Sequence, residues 1–125
     1  MSDENQVGKI GWIDMSTDDA SGLRDFYKKV VGWQSEDVSM GDYSDYSMLM
    51  PGTGEAVTGI CHARGSNEAL RGGWLIYIVV EDVRASAAAC EANGGKIKIA
   101  PRELSGGQFC VIEDPSGAVA ALYQP

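Results

Sequence analysis

Histidine occurs once in this 125-residue chain, at His62, and basic residues are scarce, with 10 Lys and Arg against 18 Asp and Glu. The formal net charge of −8 sets the chain against phosphate backbones and anionic lipid, so nucleic acid and membrane surfaces are poor partners. A neutral or cationic small molecule is electrostatically easier, although solubility alone also accounts for the charge. Cysteines number three, Cys61, Cys90 and Cys110, an odd count without a spacing motif, which argues against a disulfide framework. All three lie in apolar surroundings, where free cysteine acts as a small hydrophobe. No apolar run approaches membrane-spanning length, and the polar, acidic start MSDENQ carries no secretory pattern. These absences together point to a reducing cytoplasm.

What is present is an ordinary globular balance, 44% hydrophobic against 22% charged, in a chain long enough for one domain with a core. The stretch Asp18 to Trp33 reads as an amphipathic helix, with Leu23, Phe26, Tyr27, Val30 and Val31 at i, i+3, i+4, i+7 and i+8. Asp18 or Asp19 caps its first turn, Lys28 and Lys29 suit its negative end, and Gly32 stops it. Leu23, Phe26, Tyr27 and Val30 are expected to pack on the sheet. A polar tail, Met1 to Gln6, precedes a strand over Val7 to Met15. Three strands follow the helix, at Trp33 to Val38, Tyr43 to Met50 and Glu55 to Ala63, punctuated by Gly41-Asp42 and Pro51-Gly52-Thr53-Gly54.

After a linker from Arg64 to Gly73 the order repeats. Trp74 to Val80 is a continuous apolar run that suits a strand buried on both faces. Asp82 to Asn93 is a second, Ala-rich helix with an inner stripe of Val83, Ala87 and Cys90, ended by Gly94-Gly95. Strands over Lys96 to Ile99, Gln108 to Glu113 and Ala118 to Tyr123 complete the pattern. The halves align with Asp19 on Asp82, Gly32 on Gly95 and Trp12 on Leu75. The expectation is an α+β fold in a single domain, residues 1–125. Two pseudo-symmetric βαβββ modules, about 7–63 and 74–124 with the linker 64–73 between, form a curved mixed sheet around a cleft with helices outside.

Phe26-Tyr27 followed by Val31-Gly32-Trp33 resembles the FY…GW signature of the vicinal oxygen chelate superfamily, which holds glyoxalases, bleomycin-resistance proteins and extradiol dioxygenases. Val80 to Val83 is similar to the start of that family's second helix, and Glu113-Asp114-Pro115-Ser116-Gly117 to its EDPdG turn. The resemblance covers Lys9 to Gln124. It implies a metal in the cleft, held by His or Glu on the first and last strands of each module. Carried over by position, those sites fall on Trp12, Gly59, Leu75 and Ala121, and none of these side chains coordinates a metal. The resemblance therefore implies a member that needs no metal or other cofactor and binds a small organic molecule, like the family's drug-binding resistance proteins. It also implies a homodimer, because members commonly pair.

The positions that share parity with the vanished ligands include Trp12, Tyr77, Val79, Val119 and Tyr123. An aromatic lining suits a flat or cationic guest, and Asp14, on the Trp12 side, would meet its charge. Filling of the core by the same residues is an equally open reading. Gly59 and Cys61 face the same way. The ligand-binding candidates are thus Trp12, Asp14, Gly59, Cys61, Tyr77 and Tyr123. His62 is the one catalytic candidate, as a general base or lone ligand, and its strand parity sets it with Thr58 and Ile60, away from Cys61. The rival readings are a metal-dependent lyase or dioxygenase with a displaced site, using His62 and a carboxylate such as Glu55 or Glu113, and a non-catalytic interaction subunit whose cleft is filled.

Overall fold

The computed structural model describes residues 6–125, apart from the side chains at positions 66 and 67; the expected polar tail falls, up to residue 5, outside the described residues. The chain is α+β, with eight strands of mixed direction and two α-helices among the described residues. It divides into two compact units, Ile13–Trp74 and Leu75–Pro125, the second joined by the chain up to Trp12.

The first unit is built from β1 (Ile10–Thr17, from Ile13 on), α1 (Ala20–Val31), β2 (Gln34–Ser39), β3 (Ser44–Leu49) and β4 (Ala56–His62). Its strands lie in the order β2-β3-β4-β1, antiparallel except for the parallel pair β1 and β4, where Asp14 stands opposite Gly59 and Met15 opposite Ile60. The second unit repeats this plan with β5 (Gly73–Val79, from Leu75 on), α2 (Val83–Ala92), β6 (Lys96–Leu104), β7 (Gly107–Glu113) and β8 (Val119–Gln124). The order is β5-β8-β7-β6, again with only the first and last strands of the unit, β5 and β8, running parallel. The start of β1 belongs here: Gly8 N–H donates to Val79 O and Val79 N–H to Lys9 O, both at 2.8 Å.

Local chemistry explains the helix ends. Asp19 caps α1 by accepting the Gly22 N–H at 3.0 Å, and Gly32 ends it in the left-handed region at φ 87°, where a side chain would be strained. Asp82 caps α2 on Arg84 and Ala85, while Gln124 Oε1 takes the Val83 N–H at 2.9 Å. The Asp114 to Gly117 turn is held by Asp114 Oδ1, which accepts the Ser116 N–H and hydroxyl and the Ala118 N–H. These bonds, the Ser116 hydroxyl first, keep that carboxyl below the usual range.

Each helix covers one face of its own unit's sheet. Ala20, Tyr46, Met48 and Ile60 form the first core, with Leu23, Tyr27, Trp33 and Val57 packed on it. Val83, Ala87, Cys110 and Leu122 form the second, with Ile78, Val80, Ile97 and Ile112. Thr58, buried on the helix side of β4, satisfies its hydroxyl on the Ile13 carbonyl.

Three expectations need correction. Phe26 and Val30 do not pack on the sheet: they are 52% and 64% exposed, and Val31 is 50% exposed. The stripe of α1 that packs on the sheet is the buried Ala20 with the partly buried Leu23 and Tyr27. The run Trp74 to Val80 is fully buried on one face only, at Leu75, Tyr77 and Val79; on the other Ile76, Ile78 and Val80 are half-buried, Ile78 and Val80 against the second core, and Trp74 is exposed. Finally β6 runs on to Leu104 through Pro101, because a register shift between Ile99 and Arg102 at this edge strand accommodates a residue without an N–H.

Candidate functional site

The first unit's sheet has a face that its helix leaves free. Strand alternation puts Asp14 of β1, Asp45 and Ser47 of β3, and Gly59 and Cys61 of β4 on it. Asp14 and Cys61 are half-buried, and Gly59 between them keeps the floor low: a Cβ there would stand 3.6 Å from Asp14 Cβ and 3.8 Å from Cys61 Sγ. Of the residues singled out in the sequence, this unit therefore gathers Asp14, Gly59 and Cys61.

Asp45, which sequence reasoning missed, organises this surface. It is 5% exposed and accepts the His62 N–H through Oδ1 at 2.7 Å. The same oxygen lies 3.4 Å from His62 Nδ1, and the carboxylate also takes the Cys61 thiol as donor. A buried carboxylate is tolerated because these donors replace water. Burial first, then the charges of Asp45 and Asp14, push the Cys61 thiol up to about 12. Cys61 is thus a thiol at neutral pH, the opposite of an activated nucleophile.

His62 turns its ring between two tyrosines, with centroids 5.4 Å from Tyr43 and 6.2 Å from Tyr46. Each tyrosine carries a guanidinium on its ring, Arg64 at 4.0 Å from Tyr43 and Arg24 at 4.5 Å from Tyr46. The imidazole has a carboxylate on Nδ1, the arrangement that orients a general base. Its side chain is only 19% exposed.

The remaining candidates lie in the second unit. Trp12 is 39% exposed. Tyr77 is buried and stacked on Phe109, with centroids 6.5 Å apart and planes 27° apart. Tyr123 is half-buried and donates its hydroxyl to Ser105 O at 3.4 Å, lying over the β6–β7 hairpin. On the helix-free face here Leu75, Tyr77, Val79, Phe109, Val111 and Ala121 are all buried. Together they form a packed apolar layer, with the half-buried Tyr123 and the 43% exposed Val119 at its margin.

The donor chemistry does not fit the metal centre that the resemblance implies. Leu75 and Ala121 are buried hydrocarbon, Gly59 has no side chain, and Trp12 offers no lone pair. Among the described residues no group of three or more His, Cys, Asp or Glu is placed to hold an ion.

One further surface went unread in the sequence. Tyr27 contacts Phe26, Trp33 and Trp74, at centroid distances of 5.1, 5.6 and 5.5 Å, and Trp74 is 40% exposed. The spacing of Tyr27 and Trp33 on either side of Gly32 was visible; the arrival of Trp74 was not.

Comparison with known proteins agrees with this geometry. The sequence model of the Glyoxalase/Bleomycin resistance protein/Dioxygenase superfamily matches residues 9–122. A Mycobacterium tuberculosis protein named "Putative glyoxylase CFP32" is 30% identical over 122 residues, 97% of this chain and 46% of the relative. The Anthracycline biosynthesis protein DauV of Streptomyces sp. is 26% identical over 133 residues, 94% of this chain and 47% of its own. The chain spans about half the length of these relatives. Among solved structures, the Mn(II)-bound glyoxalase from Novosphingobium aromaticivorans superposes with a TM-score of 0.59 at 20% identity. That match covers 95% of this chain and 39% of that one, and it shows the fold alone.

Proposed function

We propose that this chain, which belongs to the Glyoxalase/Bleomycin resistance protein/Dioxygenase superfamily, binds a small organic molecule and does so without a metal. The observation that carries this reading is the helix-free face of the first unit, where Asp14, Gly59 and Cys61 remain partly open above the buried Asp45. Carboxylates on a floor with a thiol held neutral attract an amine or another cationic group. The four positions where relatives of this type would present metal donors hold Trp12, Gly59, Leu75 and Ala121, so binding here rests on shape and charge.

The chain also pairs with a second copy, in our reading, because members of the superfamily it belongs to commonly pair. Its three free cysteines suit a reducing compartment, and we place it in the cytoplasm. No helix among the described residues is long and apolar enough to cross a membrane.

Two other readings each have an observation behind them. The Asp45–His62 contact favours an enzyme with a displaced centre. The packed apolar layer in the second unit favours an interaction subunit with no ligand.

Thermal shift with a panel of planar aromatic amines separates the three. A binder at a hundredfold excess over its Kd adds about 2.7 kcal/mol to folding, a clear rise in Tm. The rise is expected to shrink in Asp14→Asn. Near one equivalent of zinc, nickel or iron in elemental analysis of protein purified without chelator would overturn the metal-free reading and favour the enzyme. No rise with any amine, and no metal, would favour the interaction subunit.

A further inference from the structure

The exposed side of α1 carries two large apolar residues, Phe26 and Val30, among charged ones, where a surface helix is normally polar. The stripe Gly22, Asp25, Phe26, Lys29 and Val30 is exposed along its whole length, at i, i+3, i+4, i+7 and i+8. Phe26 and Val30, at 52% and 64% exposure, continue through Tyr27 to Trp33 and Trp74, whose rings lie 6.5 Å apart. A joined patch of aromatic and aliphatic side chains of this kind marks a surface meant to be covered.

We propose that this patch is where a second copy of the chain docks, α1 against α1 in antiparallel register about a two-fold axis. The inference rests on the homodimer reading above and names the surface it uses. Charge selects the occupant. Asp25 and Lys29 lie on one flank of the stripe, four residues apart. In an isologous antiparallel pair, like flanks meet with their order reversed. Asp25 of each copy then stands beside Lys29 of the other, while Phe26 packs across the axis and Val30 lies over the bare Gly22. Within one chain Asp25 already accepts Arg24 Nε through Oδ1 at 2.9 Å and feels the charges of Lys28 and Lys29, so the pair across the axis extends an existing charge cluster. Two copies with a net charge of −8 each repel over most of their surface. The end of α1, with Lys28 and Lys29 next to the patch, is a place where they can approach.

Light scattering with sedimentation at micromolar concentration tests this. The unmodified chain is expected at twice the chain mass. Phe26→Asp and Val30→Asp, both at exposed positions, should each give a monomer with an unchanged circular dichroism spectrum. Asp25→Lys should weaken the dimer about tenfold through like charge against Lys29, and the double variant Asp25→Lys/Lys29→Asp should restore it. A monomeric unmodified chain would refute the homodimer reading and this surface with it. A dimer that survives both aspartate variants would refute the surface alone. A double variant no tighter than Asp25→Lys would refute the antiparallel register.

Discussion

The two units share a backbone plan and use opposite chemistry on the sheet face that the helix leaves free. In the first, that face carries Asp14, Asp45, Ser47, Gly59 and Cys61, with only Asp45 of the carboxylates buried. In the second it carries Leu75, Tyr77, Val79, Phe109, Val111 and Ala121, all buried. A βαβββ unit needs one apolar face for its helix. The other face is free to be core in one copy and polar surface in the other. The helices differ in the complementary sense. The helix α1 presents Phe26 and Val30 outward, whereas α2 is made of small residues that spend their few apolar side chains on the sheet.

The largest effect expected from this contrast is on Cys61. With its thiol pushed up to about 12, the thiolate fraction at neutral pH falls about a thousandfold below that of an ordinary cysteine. Alkylation of Cys61 by iodoacetamide, followed by peptide mass spectrometry, should be slower by a similar factor than in the urea-unfolded chain. Asp45→Asn should recover part of the rate. The sign for stability follows. The folded value lies above the unfolded one, so the contribution is full below the ordinary thiol range and is lost as pH rises toward 12. Rapid labelling of folded protein at neutral pH would mean that the polar face is open water.

Next is the packed layer. Phe109 is 2% exposed, stacked on Tyr77 and overlaid by the Arg102 guanidinium at 5.3 Å. Phe109→Ala should cost about 3–5 kcal/mol in urea unfolding. A loss below about 1 kcal/mol, the range of surface substitutions, would show that the second face is not core and dissolve the contrast.

A third test separates two glycines that the sequence treats as equivalent, Gly32 and Gly95. Gly32 is needed for its φ of 87°, with nothing within 4 Å of a Cβ built on it. In the second unit Gly94 takes over the left-handed φ, at 94°. Gly95 serves close packing: its Cβ would run into Cys90 Sγ and stand 3.0 Å from Glu113 O. Gly95→Ala should cost about 1–3 kcal/mol by overpacking. Gly32→Ala should cost about 1–2 kcal/mol by strain. A cost-free Gly95→Ala would remove the packing role, and a cost-free Gly32→Ala the conformational one.

These glycines also show what the sequence reveals and what it hides. Helix ends were legible because caps are local: Asp19, Asp82 and Gly32 act within four residues of themselves. The repeat was legible from element order, and the family from Phe26-Tyr27, Gly32-Trp33 and the Glu113 to Gly117 turn, of which Tyr27, Gly32, Trp33 and the turn each have a local structural job. The candidate site was legible only where alternation along one strand decides the face, as for Gly59 and Cys61. Asp45 was hidden because its partners, His62 and Cys61, are 17 and 16 residues away. Trp74 was hidden because its contact with Tyr27 spans 47 residues. Strand β6 extends past the expected Lys96 to Ile99 because its edge position tolerates Pro101, a residue without an N–H, and an edge position is set by topology rather than by local sequence.

The smallest expected effect concerns the residue on which the sequence reading of α1 depended. A buried Phe26 would cost about 3–5 kcal/mol on truncation. The ring is 52% exposed and touches Tyr27 edge-on at 5.1 Å. Most of its surface therefore stays in water in the single chain, and Phe26→Ala should cost less than about 1 kcal/mol in urea unfolding at submicromolar concentration. Coverage by a second copy adds a term that grows with protein concentration, because association with a folded partner stabilises only the folded state. The loss should thus rise between submicromolar and high micromolar protein for Phe26→Ala, and stay constant for Phe109→Ala. A Phe26→Ala loss near 4 kcal/mol at every concentration would place the ring in a core of its own chain and return α1 to the orientation first expected of it. A small loss that ignores concentration would leave the ring exposed in solution, with no second copy upon it.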